Sequence, residues 1–237
     1  MIKIVYYLTP KTKAHLNILL SFLIVVTALC GGYFYRNHTE QVILKMPLGG
    51  RVIALDPGHG GYDPGVFNSV DEKEVNLEIS LILRDFLQQG GAVVVMTREK
   101  DMDFLEVSKG PKKRLDMKTR VKIIEDSGAD IVISIHCNAM SSSRWSGAQT
   151  FYQFKDEESK VLAQIVQDEL KRVLKNTDRG IKQGDYYVLA NSTMPGIIVE
   201  AGFLSNPRET ELLKTREYQG KLAWAIYGGI IKYFNRK

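Results

Sequence analysis

Val52-Ile-Ala-Leu-Asp-Pro-Gly-His-Gly-Gly61 is an apolar run of four residues that breaks into a carboxylate, a proline and three glycines around one histidine. A short apolar run bounded by Gly and Pro reads as a buried strand, and the glycine-rich turn behind it as the strand's exit. Further along the chain the pattern recurs, Ile131-Val-Ile-Ser-Ile135 leading into His136-Cys-Asn-Ala139. His59 and His136 are the only histidines from Arg51 onward. Each falls at the end of a strand, where sites form in α/β sheets. Imidazole is a common zinc ligand, and a hydrolytic zinc takes three protein ligands and leaves the fourth position to water. A third ligand is therefore expected, and Asp71-Glu72-Lys73-Glu74-Val75-Asn76-Leu77 offers candidates at the start of a helical pattern that runs to about Gln89.

Outward from these two stretches the remaining elements alternate. Apolar runs predict strands at about 51–56, 92–97, 130–136, 148–154, 186–190 and 196–200. Val75, Ile79, Ile82, Leu83, Phe86 and Leu87 share one helical face, and further helices are expected at about 112–127, 157–175, 207–214 and 217–234. Alternation of this kind predicts one α/β domain, a six-stranded, largely parallel or mixed sheet flanked by helices on both faces. Glu200 closes the last strand run, placing a second carboxylate at a strand end.

Ahead of the domain, Leu16 to Tyr35 carries no charged residue, which matches the ~20 residues that span a bilayer as a helix. Lys3, Lys11 and Lys13 precede it, so the positive-inside bias puts 1–15 in the cytoplasm, makes 16–35 a transmembrane signal-anchor and 36–50 a tether, and leaves 51–237 outside. A cleaved signal peptide is the rival reading. It fits less well, because the apolar stretch is long and no Ala-x-Ala site follows.

The net charge of +5 does not make this a nucleic-acid binder. Five basic residues against one acidic residue precede Arg51, which leaves the domain close to neutral, without the basic face that polyanions require. Arg114, Lys118 and Lys122 read as a solvated helix face. With Cys30 and Cys137 the only cysteines, no Cys-x-x-Cys pair exists. Gly58, Gly60, Gly61 and Gly65 fit neither the dinucleotide fingerprint nor a P-loop, and a Gly-x-Ser-x-Gly elbow is absent. Asn206-Pro-Arg-Glu209 reads as a helix cap. Arg98 and Arg120 read as ties between elements through carboxylates. Trp145, Phe151, Tyr152 and Phe154 read in part as core, with a sugar or peptide contact as the other reading of Trp145.

Taken in order, Asp56-Pro-Gly-His-Gly-Gly61, Glu72-Lys73 with Asn76-Leu77 behind it, Thr97-Arg98, Ser134-Ile-His-Cys-Asn-Ala139 and Val199-Glu-Ala-Gly-Phe-Leu-Ser-Asn206 resemble the zinc-dependent N-acetylmuramoyl-L-alanine amidases, over roughly residues 51–235. The resemblance implies that His59, Glu72 and His136 hold Zn2+, with Glu74 the rival for the Glu72 role. It implies that Glu200 is the catalytic carboxylate; Asn138 and Trp145 are the candidate substrate contacts beside it. The implied substrate is peptidoglycan, cut at the amide between the lactyl group of N-acetylmuramic acid and L-alanine. The short anchored architecture and the run Ser143 to Tyr152 resemble the sporulation members of that family. This implies cortex maturation through muramic-δ-lactam synthesis, and germination, in the cell wall or forespore intermembrane space, with an activating protein partner as a further expectation. Some relatives carry a long insertion with a plugging helix after the His136 strand; residues 138–147 leave no room for one. Other classes remain open on the residues alone: another exported zinc hydrolase, either a peptidase or a de-N-acetylase, or a non-catalytic wall-binding anchor protein.

Overall fold

The structure, a computed structural model, describes residues 9–66, 70–104, 112–154 and 156–236, and the backbone alone of 39–45. Two compact units divide the chain, Met1–Lys45 and Met46–Lys237. The first is helix α1 (Pro10–Lys45), whose segment Pro10–His38 is long and apolar enough to cross a membrane. The helix continues to Lys45, through most of the stretch read as a tether.

In the second unit, β1 (Val52–Pro57), α2 (Glu72–Gln89), β2 (Val93–Met96), α3 (Lys112–Asp126) and β3 (Ile131–Asn138) lead to β4 (Gln149–Tyr152), α4 (Glu157–Leu174) and β5 (Lys182–Gln183). Then come α5 (Tyr187–Ala190), β6 (Gly196–Phe203), α6 (Pro207–Leu213) and α7 (Arg216–Phe234). The sheet order is β2-β1-β3-β6-β4-β5. Strands β2, β1, β3 and β6 run parallel, and β4 lies antiparallel to β6. The expected six-stranded mixed sheet is therefore present. The strand expected at 186–190 is not: Tyr187–Ala190 is the helical turn α5, and the fifth strand is Lys182–Gln183. Val188 and Leu189 are buried side by side, which suits a helical turn and not the alternation of a strand.

Strand periodicity sorts the core onto two faces. Ile53, Leu55, Ile131, Ile133, Ile135, Ile197 and Val199 pack with α2, α4 and α7 in the larger cluster. Ala54, Val132, Phe151 and Ile198 face the other way, toward Ile124 of α3 and Val188 and Leu189 of α5. On this second face, the positions beyond Ala54, Val132 and Ile198 are Asp56, Ser134, His136 and Glu200. Here the apolar layer gives way to polar side chains at the C-terminal ends of the parallel strands.

Candidate metal centre

His59 follows β1 with φ of +62°, a conformation disfavoured for a side chain with a Cβ. What holds it there is a set of side chains that grip the backbone. Arg98 is buried and donates to the carbonyls of Pro57 (3.0 Å), Gly58 (2.9 Å) and Lys73 (2.8 Å). Arg120, also buried, donates to the carbonyls of Pro57 (2.8 Å) and His59 (2.6 Å) and pairs with Asp56 (2.8 Å) and Asp116 (2.7 Å). The carboxylate pairing expected of Arg120 is thus present, whereas Arg98 spends its donors on carbonyls. Two glycines leave room for the site. A Cβ on Gly58 would stand 2.2 Å from the His136 ring, and one on Gly65, at φ +70°, 2.5 Å from Glu72 Oε2.

Glu72 is the first residue of α2 and is almost wholly buried. Its Oε1 lies 3.2 Å from His59 Nε2 and 3.1 Å from His136 Nδ1. Ligand atoms of His59, Glu72 and His136 all fall within 4.8 Å of one another. Glu74 is exposed, two residues on and so on the opposite face of the helix, and takes no part. The buried Glu72 carboxylate is steadied by Asn76 Nδ2 (3.2 Å), the Cys137 amide (3.1 Å) and, at Oε2, the Val66 amide (2.9 Å). Burial raises its pKa, but the bonds to His136 and His59 outweigh it and hold the carboxyl well below the usual carboxylate range. For His59, burial lowers the pKa, and the carboxylates of Glu72 and Asp63 raise it above the ordinary histidine value.

Glu200 stands opposite His136 in the parallel β3–β6 register, so the two side chains leave the same face of adjacent strands, ~4.8 Å apart in backbone terms. Its Oε2 is buried without a hydrogen-bond partner among the described residues. Burial pushes the carboxyl up to about 7, against the pull of His136. A buried acceptor left unmatched beside two imidazoles and a carboxylate is costly as it stands and fits a centre completed by a cation and its water. The donor set, two imidazoles and one carboxylate, is that of a hydrolytic zinc site.

A cleft of about 120 Å³ opens beside the imidazoles, lined in part by Asp63, Lys113, Met117, Tyr186, Val188 and Ile198. The tyrosine and Asp63 were not singled out by the sequence reading. Trp145 and Asn138 are not among its walls. Trp145 is partly exposed on the β3–β4 loop, its indole flanked by the guanidinium groups of Arg144 and Arg179 at 5.2 and 5.6 Å. The Asn138 carbonyl accepts the Leu204 amide (2.8 Å) and closes the end of β3. Asn206 caps α6 as expected, accepting from the Arg208 and Glu209 amides, with Pro207 in the first turn.

Comparison with known proteins agrees with this geometry. The profile of the family described as N-acetylmuramoyl-L-alanine amidase matches residues 53–232. The chain is 45% identical over 232 residues to the germination-specific N-acetylmuramoyl-L-alanine amidase of Bacillus subtilis, covering 96% of this chain and 97% of that one. Among solved structures it resembles the CwlD amidase of Clostridioides difficile in complex with the GerS lipoprotein, with 42% identity and a TM-score of 0.77 over 79% of this chain and 100% of that one. It also resembles the catalytic domain of the amidase CwlV from Bacillus (Paenibacillus) polymyxa, with 34% identity, a TM-score of 0.69 and coverage of 79% and 99%.

Proposed function

The chain belongs to the N-acetylmuramoyl-L-alanine amidase family, hydrolases of peptidoglycan, and from that premise we propose that it cuts the amide between the muramic acid lactyl group and L-alanine with one zinc ion held by His59, Glu72 and His136. The observation that carries this reading is the convergence of His59 Nε2 and His136 Nδ1 on one Glu72 oxygen, with the unpartnered carboxylate oxygen of Glu200 on the neighbouring strand.

A bound zinc supplies Lewis acidity, polarising the amide carbonyl and lowering the pKa of water toward ~7. The chain's own residues do the rest. Glu200 Oε2, with no competing donor, accepts the proton of the attacking water and returns it to the departing alanine nitrogen. His59 and His136 would each offer an unprotonated ring nitrogen to the ion. Glu72 keeps its negative charge because amide donors and histidines surround it. Met117, Val188 and Ile198 give the cleft an apolar side beside the imidazoles, and the lower local dielectric strengthens each of these electrostatic contacts.

Near-full-length identity to a germination-specific relative supports a role in spore cortex maturation, with removal of the stem peptide preparing muramic-δ-lactam formation. The complex of the C. difficile relative with a lipoprotein supports a protein partner here as well. Helix α1 supports a membrane anchor with the catalytic unit, from residue 51 onward, on the extracytoplasmic side. Residues 139–148, between β3 and β4, form bends and turns with no helix, which supports a cleft that needs no unplugging. The test is mass spectrometry of muropeptides after digestion of spore cortex glycan by the full chain. Release of intact stem peptides that begin with L-alanine is expected. Free acetate, or cleavage within the peptide, would reassign the reaction to a de-N-acetylase or a peptidase.

A further inference from the structure

We propose that Asp63 is a positioning residue of the metal centre, whose carboxylate stands against His59 Nδ1 and so commits the opposite nitrogen, Nε2, to the ion. This rests on the reading of His59, Glu72 and His136 as ligands. His59 is bracketed by two carboxylates: Asp63 Oδ2 lies 3.0 Å from Nδ1, and Glu72 Oε1 3.2 Å from Nε2. At Nδ1 the contact is close but not aligned as a full hydrogen bond, and that buried nitrogen has no other partner among the described residues. Asp63 is therefore the one group on hand to receive its proton.

Asp63 is itself fixed. Its Oδ1 accepts the Gly65 amide (3.1 Å), and its backbone exchanges two hydrogen bonds with Gly60 at 2.9 and 3.0 Å. One oxygen thus holds the loop while the other faces the imidazole. Lys113 reaches only to 4.0 Å of Oδ2 and is largely exposed, too loose to claim the carboxylate. An imidazole ligates through its unprotonated nitrogen, and an acceptor behind the other nitrogen sets the tautomer, the ring orientation and the basicity of the ligand. His59 has special need of this, because it sits in a left-handed turn and no strand or helix aims its ring. His136 is different: β3 aims it.

The experiment uses the full chain in detergent and the variant Asp63→Asn. The amide oxygen can still accept from Gly65, whereas the NH2 group cannot accept from Nδ1. Zinc affinity, measured by competition with a chromogenic chelator, is expected to weaken about 10- to 100-fold, with the melting temperature of the metal-free protein unchanged. The visible spectrum of the cobalt-loaded variant should shift relative to wild type. Equal zinc affinity and an unshifted cobalt spectrum overturn the proposal while leaving the ligand reading intact. A wild-type chain that binds no zinc overturns both. If metal-free Asp63→Asn melts early, Asp63→Glu decides. Affinity nearer to wild type than that of the Asn variant supports the carboxylate's role, and affinity as weak as the Asn variant's overturns it.

Discussion

Glu200→Gln removes the buried acceptor at Oε2 and keeps its volume. Turnover should fall by about 10²–10⁴, the usual worth of a general acid–base group, with zinc content and fold preserved, as metal analysis and circular dichroism would show. The two neighbouring glutamates separate cleanly. Glu72→Ala should strip the metal, since this carboxylate touches both imidazoles, whereas Glu74→Ala, at an exposed position, should leave zinc content and activity near wild type. Arg120→Met leaves Asp56 buried without its cation and is expected to cost about 3–5 kcal/mol of stability, read by denaturant unfolding. The sign of its pH dependence follows from Asp56. Burial raises that carboxyl's pKa but Arg120 lowers it further, below the ordinary value, so the pair's contribution is complete above ~pH 4 and is lost as pH falls through the lower folded pKa. The placement of His59, His136 and Glu200 at strand ends was legible in the sequence because each closes or closely follows an apolar run. Asp63 and the carbonyl grip of Arg98 were not, since a contact made across a left-handed turn or to a main-chain carbonyl leaves no periodicity to read.

Among the elements, α7 offers two glycines with opposite outcomes. A Cβ on Gly220 meets nothing within 4 Å, so Gly220→Ala should stabilise by about 0.4–1 kcal/mol through the unfolded chain's lost freedom. At Gly229 a Cβ would lie 2.8 Å from a Val166 methyl and 2.9 Å from its Cα. Gly229→Ala should therefore lower the melting temperature despite alanine's better helix propensity, because α4 and α7 approach backbone to side chain there. Thermal unfolding of the two variants side by side checks both signs. Helices α2, α3, α4, α6 and α7 were readable to within a residue or two from their apolar spacing. The 186–190 run misled because Tyr-Tyr-Val-Leu suits a strand by propensity, and only packing of Val188 and Leu189 together against the sheet makes a helical turn the better burial. The two-residue β5, exposed and polar at Lys182 and Gln183, carries no apolar signal; its place on the sheet edge comes from pairing with β4.

At the scale of the whole molecule, the chain is a catalytic unit and an apolar helix, and the helix should govern where the enzyme works. The full chain is expected to resist extraction from membranes by alkaline carbonate and to need detergent. Leu23→Arg with Val26→Arg, each costing ~2.5–3.5 kcal/mol at a helix centre, should shift it to the carbonate-soluble fraction; unchanged partitioning would argue against a spanning helix. Both the α/β class and a helix long and apolar enough to cross a membrane were readable in the sequence, since each depends on a pattern averaged over many residues. Continuation of α1 to Lys45 was not, because the change to polar residues at Arg36 marks the end of the apolar run and carries no signal for where the helix stops. One feature of the catalytic unit bears on how such an enzyme diversifies. The loop from Pro57 to Tyr62 is held by its main chain: Arg98, Arg120, Asn76 and Lys73 take its carbonyls, and Asp101 and Asp103 take the amides of Gly61 and Tyr62. Such a frame is blind to what the loop's outward side chains are. Tyr62, partly exposed and outside the walls of the cleft, is therefore free to drift, and a library of non-proline residues at that position should retain metal binding throughout, so that the rim of the site can change while the frame that holds the metal stays fixed.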